Sequence, residues 1–97
     1  MANNIHISYD LNSPGQDYTR VIDKIKSLGG WAKIHKSFWF VSTDLSASQV
    51  CSAVWSVMDS SDSLYVVDAL KNEAAWQNVS PAASEYIKGK WSSRAFA

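Results

Sequence analysis

A chain of 97 residues holds one modest hydrophobic core and not two. Nine Lys and Arg balance nine Asp and Glu, which excludes coating of a nucleic acid by bulk charge, because phosphate neutralisation needs a basic surplus or a concentrated basic patch. One cysteine, Cys51, excludes an internal disulfide framework, and no apolar run has the length of an export signal or a membrane span.

A cytoplasmic location is therefore expected, and the Asn78-Val79-Ser80 sequon is not read as a glycosylation site. Ile5 to Asn12 alternates apolar and polar residues at a period of two. This predicts a half-buried strand with Ile5, Ile7 and Tyr9 on one side and His6, Ser8 and Asp10 on the other. Ser13-Pro14-Gly15 is a turn signal, and Asp17 is expected in the first turn of a helix running from about Asp17 to Leu28. Tyr18, Val21, Ile22, Ile25 and Leu28 recur at helical spacing there, and Gly29-Gly30 reads as a left-handed cap.

Trp31 to Thr43 is rich in aromatic and β-branched residues and too long for one ordinary strand. It divides near Lys36-Ser37 into Trp31 to His35 and Phe38 to Thr43; one bent strand is the competing reading. Ser46-Ala47-Ser48-Gln49 has the spacing of a capping box, and Val50, Cys51, Val54, Val57 and Met58 give the stripe of a second helix. Leu64 to Leu70 is the last long strand. Asn72 to Trp76 is ambiguous, with one helical turn as the working assignment. Ser80-Pro81 then caps a short third helix over Ala82 to Lys90, with Tyr86, Ile87 and Trp91 apolar, and Ser92 to Ala97 is expected to fray.

The order strand, helix, strand, strand, helix, strand is the α+β, ferredoxin-like (split βαβ) arrangement, an antiparallel sheet with both helices on one face. Residues 1–70 form this core and 71–97 an extension whose helix docks on the core or on a partner. The sheet carries apolar residues on both faces and helices enough for one, so a homodimer is expected to cover the other.

Ile7 to Gly15, Lys36-Ser37-Phe38-Trp39, Thr43 to Ala47 and Ala74-Ala75-Trp76 resemble the small bacterial and phage proteins labelled SinR-like. More distantly, the strand ending in Tyr9-Asp10 and the Lys36-Ser37-Phe38 strand pair resemble the CRISPR-associated adaptation protein that partners the integrase, and the VapD-like toxins. That resemblance implies a ferredoxin-like homodimer. In some members it implies a metal-dependent nuclease in which the aspartate matching Asp10 pairs with its dimer mate to hold Mg2+ or Mn2+. The chain departs from that pattern after Asp10, where Arg20 is the first basic residue, and at its carboxy terminus, where a helix replaces a crossing strand.

Read from the residues alone, Asp10 has two roles open to it, a metal ligand or a turn-forming side chain. His6, Ser8 and Asp10 do not make a triad, since alternate residues of a strand stand about 6.6 to 6.8 Å apart. Lys33, His35 and Lys36 form a small basic group, either a solvated edge or a phosphate contact beside Trp31 or Trp39. Cys51 reads as an inert core residue. Five tryptophans serve the core or provide a stacking platform.

The leading expectation is a binding module, without cofactor, that holds a nucleotide or short nucleic-acid strand in an inter-subunit cleft. The expected ligand residues are His6, Ser8, Tyr9, Asn12, Trp31, Lys36 and Trp39. Such a module would suit the sequestering of a nucleotide signal. The alternatives are a divalent-metal-dependent nuclease using paired Asp10 and a protein-binding adaptor.

Overall fold

The computed structural model describes residues 2–12 and 18–94, and side chains as far as residue 89. The alternating first stretch becomes strand β1, Asn3–Asp10, in the middle of the sheet. Ile5, Ile7 and Tyr9 are buried under the helices, and His6 and Ser8 point to the opposite face. The expected turn at Ser13-Pro14-Gly15, and Asp17, lie outside the described residues.

Helix α1, Tyr18–Lys26, drives Val21 and Ile25 into the core. It stops short of the expected Leu28, whose amide reaches back only three residues to Ile25 O at 3.2 Å. The left-handed glycine cap is corrected as well. Gly29 has no positive φ, and an added Cβ would collide with the backbone carbonyl oxygen of Ser42. A close approach of two chain segments, not turn geometry, is what requires glycine there.

Strands β2, Gly30–His35, and β3, Phe38–Thr43, form an antiparallel hairpin about Lys36-Ser37. Neither turn residue has a positive φ, so the primed turns are absent; the register shifts between Lys33 and His35 instead. Trp39 and Val41 turn inward, with Trp39 only 2% exposed. Phe38 and Phe40 turn outward and are half-buried.

Helix α2, Ala47–Trp55, begins with the capping box. Ser46 Oγ accepts from the Gln49 amide at 3.1 Å, and Gln49 Oε1 accepts from the Ser46 amide at 2.9 Å. Ala47, Val50, Cys51 and Val54 are buried. Val57 and Met58 fall in the turn beyond the helix and still pack on the core. Strand β4, Ser63–Asp68, then pairs antiparallel with β1 and buries Leu64, Val66 and Asp68.

The ambiguous stretch after it is a fifth strand, not a helical turn: β5, Glu73–Gln77, pairs antiparallel with β4. Asp68 Oδ1 accepts from the amides of Leu70 and Lys71 at 3.0 and 3.3 Å, and Asn72 adopts φ 55°, which turns the chain back on itself. Glu73 then accepts from the amide of Ala47 at 2.9 Å, holding β5 to the start of α2. Pairing on both counts overrides the helix preference of Glu and Ala.

Helix α3, Pro81–Arg94, starts with proline at its first position and Ser80 as cap, the Ser80 hydroxyl accepting from the Ala83 amide at 3.2 Å. It runs past Lys90, so Ser92 belongs to the helix rather than to a frayed end; the side chain of Trp91 and residues 95–97 lie outside what is described.

The protein is thus a small α+β domain, a five-stranded antiparallel sheet in the order β2-β3-β1-β4-β5 with three helices. The expected four-strand sheet is corrected by β5, which makes β4 an inner strand. Helices α1 and α2 share one face, their buried residues forming one core with Ile5, Ile7, Trp39, Val41, Leu64 and Val66. Among the described residues no helix is long and apolar enough to cross a membrane.

Candidate functional site: a basic, aromatic concavity at the end of β1

The carboxyl end of β1 is fixed to the β2-β3 turn by a short relay. The buried Trp39 indole donates from Nε1 to Tyr9 Oη at 3.2 Å, and the Tyr9 hydroxyl donates to Lys36 O at 3.3 Å. The Tyr9 amide donates to Ser37 O at 3.1 Å. Burial pushes the Tyr9 phenol above its ordinary pKa, and the Trp39 hydrogen bond pulls it partly back. The hydroxyl therefore keeps the proton it donates at neutral pH.

Beside this relay lies a concavity of about 390 Å³, lined by Tyr9, Asp10, Leu11, Tyr18, Ile22, Lys33, Lys36 and Ser37. Helix α1 supplies Tyr18 and Ile22, one helical turn apart on the side facing β2. The hairpin supplies Lys33 and Lys36, and β1 supplies the Tyr9 floor. Tyr18 is 51% exposed. Two ammonium groups, one carboxylate and an open phenol ring around an apolar floor suit a ligand that carries both a phosphate and a flat ring.

Asp10 also borders a second, smaller concavity of about 140 Å³ at the same end of β1, with Ser8, Ser63 and Tyr65 among its walls. The carboxylate thus stands where the helix side and the open side of the sheet meet. A larger hollow of about 480 Å³ lies at the opposite end, around Gly29, Thr43 and Asp44, and none of its lining residues is aromatic or basic.

The residues expected to share one cleft are distributed over four places. Tyr9, Asp10 and Lys36 come together in the concavity. His6 and Ser8 lie on the open face, His6 between Phe38 and Phe40 with ring centroids at 5.7 and 6.1 Å. Asn12 is engaged in holding the chain: its amide donates to Asp62 Oδ1 at 2.7 Å and its Nδ2 to Ser61 O at 3.2 Å. Trp31 and Trp39 pack together on the helix side at 5.5 Å, Trp39 inside and Trp31 47% exposed.

A magnesium-class ion takes several oxygen ligands. Asp10 is the sole carboxylate among the described residues lining the concavity, and no group of three His, Cys, Asp or Glu that could hold a metal occurs among the described residues. The described residues of one copy do not fit such an ion. Tyr18 and Ile22 were hidden from sequence reasoning because their helical spacing reads as core-facing; their shared spacing of four was the available signal.

The open face presents Phe38, Phe40, Tyr65, Val67 and Trp76, each partly exposed. Tyr65 and Trp76 stack at 5.6 Å, and Trp76 Nε1 donates to Ser84 Oγ at 3.1 Å, which ties the start of α3 to this side. Comparison with family models, curated proteins and solved structures gives no match to the chain.

Proposed function

We propose that the protein is a homodimeric binding module that holds a nucleotide or a short nucleic-acid strand, without cleaving it, in the concavity at the end of β1. The observation that carries this reading is the meeting of Lys33, Lys36 and the exposed Tyr18 ring around one hollow. Lysines supply phosphate contacts and the ring a stacking surface, so affinity does not need a basic surplus over the whole chain.

The domain is read as a ferredoxin-like core, β1 to β4, extended by β5; the order of those four strands and the shared face of α1 and α2 support that reading. A second copy is taken to cover the open face, whose apolar side chains favour burial. Asp10, at the seam of both concavities, would then border the partner. The SinR-like resemblance fits a bacterial or phage protein of the cytoplasm, and a module of this kind would suit the sequestering of a nucleotide signal. Among the described lining residues one carboxylate stands beside two lysines, a balance that favours holding a phosphate over hydrolysing its ester.

Tryptophan fluorescence titrated with 5′-phosphorylated nucleotides, with sedimentation in parallel, tests both parts. Saturable binding that falls at least about tenfold in Lys33→Ala/Lys36→Ala is expected, on a dimer that Phe40→Lys splits. Absence of binding to any nucleotide overturns the binding reading, and a lone subunit at high concentration overturns the dimer.

A further inference from the structure

We infer that the ligand is single-stranded nucleic acid of two or more nucleotides, because a second exposed ring, Trp31, stands on β2 two residues from Lys33, just beyond the lining of the concavity. This rests on the nucleotide-binding reading and extends it. Tyr18, Ile22 and Lys26 follow one another at spacings of four along α1, so they form a single wall. Facing them are Lys36 in the hairpin turn and Lys33 and Trp31 on β2.

The surroundings of Trp31 suit a stacking position. Trp31 is 47% exposed and rests against the buried Trp39 at 5.5 Å. Lys26 Nζ stands 4.5 Å from the Trp31 ring centroid and 6.0 Å from that of Trp39, and Lys33 Nζ lies 6.0 Å from Trp39 on the same side. A base sliding onto Trp31 would displace the Lys26 ammonium toward the adjoining phosphate, exchanging a cation–π contact for a charge-assisted one.

Tyr18 and Lys26, whose ammonium meets Trp31, are eight residues apart on α1, roughly 12 Å along its axis, and Lys33 borders the Tyr18 hollow two residues from Trp31 on β2. Ring, cation, ring is the order of base, phosphate, base. A mononucleotide fills one end only. Charge complementarity agrees, since Asp10 at one end is the carboxylate among the described lining residues and three lysines serve the rest.

The experiment compares deoxyadenosine monophosphate with tetradeoxyadenylate on the intact protein, followed by fluorescence anisotropy competition. Stacking on an aromatic side chain is worth about 5- to 150-fold per base, so the tetramer is expected to bind at least about tenfold tighter. Trp31→Ala should remove most of that advantage, lowering tetramer affinity far more than monomer affinity, and Trp31→Phe should restore part of it. Equal affinity of monomer and tetramer, or equal losses for both in Trp31→Ala, overturns the inference while leaving single-nucleotide binding standing. Failure of both probes to bind overturns the underlying reading instead.

Discussion

Trp39 donates its indole hydrogen to the phenolic oxygen of Tyr9 at 3.2 Å, and the same hydroxyl donates onward to the carbonyl of Lys36. One buried pair thereby sets the position of the turn that carries the basic rim of the concavity. Tyr9→Phe removes both bonds and leaves the Trp39 N–H unsatisfied, at an expected cost of about 1–3 kcal/mol in denaturant unfolding. Nucleotide affinity should fall as well, as the Lys36 turn loosens.

The same tyrosine makes stability fall in alkali. Burial raises the phenols of Tyr9 and Tyr65 and the thiol of Cys51. The folded chain therefore keeps protons that the unfolded chain releases first. Each contribution is complete below the ordinary value of its own group, 9.0 for the thiol and 10.0 for the phenols, and is lost as pH climbs from there through the raised value. Denaturation midpoints measured between about pH 8 and 11 should decline, and less steeply in Tyr9→Phe.

Asp62, fully buried, accepts from the amides of Asn12 and Asp59, both at 2.7 Å. It joins the end of β1 to the loop after α2. Asp62→Ala should cost about 2–4 kcal/mol, since two charge-assisted bonds go and two amides are stranded. Asp62→Asn should recover part of this. A thermal or urea melt decides, and a loss under about 0.5 kcal/mol would contradict the role.

Asp68 presents the reverse situation. Its Oδ1 serves two amides, while its Oδ2 and Oδ1 of Asn3 are buried without a hydrogen-bond partner. The pairing of Ile5 with Asp68 makes Asn3 a diagonal neighbour on the same face. Asp68→Asn keeps the turn acceptor and introduces a donor there, so it is expected to be neutral or stabilising by about 1 kcal/mol, whereas Asp68→Ala destabilises by about 1–3 kcal/mol. The melting temperature should therefore hold or rise in Asp68→Asn and fall in Asp68→Ala.

Most of the fold was legible because it rests on local patterns: the alternation of Ile5, Ile7 and Tyr9, the Ser46/Gln49 box, and the inward Trp39 and Val41. The parts that were not legible depend on distant partners. Glu73, Ala74 and Ala75 become a strand only because β4 offers an edge and Ala47 an amide for Glu73. Gly29 reads as a cap until Ser42 is seen against it.

The site was half legible for the same reason. Tyr9, Asp10 and Lys36 stood out at a strand end and a turn, yet Tyr18 and Ile22 looked like core residues because a helical stripe does not say where cover ends. Strand parity already separated His6 and Ser8 from Tyr9. A single cleft holding all three would have to bend around the sheet edge at Asp10.

The central claim is that a phosphate-bearing ring compound occupies the hollow beside Tyr9. Amide NMR shifts recorded during titration with deoxyadenosine monophosphate test it most directly. The account predicts the largest saturable changes at Tyr9, Asp10, Ile22, Lys33, Lys36 and Ser37, weakened in Lys33→Ala/Lys36→Ala. Changes centred instead on Gly29, Thr43 and Asp44 at the other end of the sheet, or none at millimolar ligand, would contradict it.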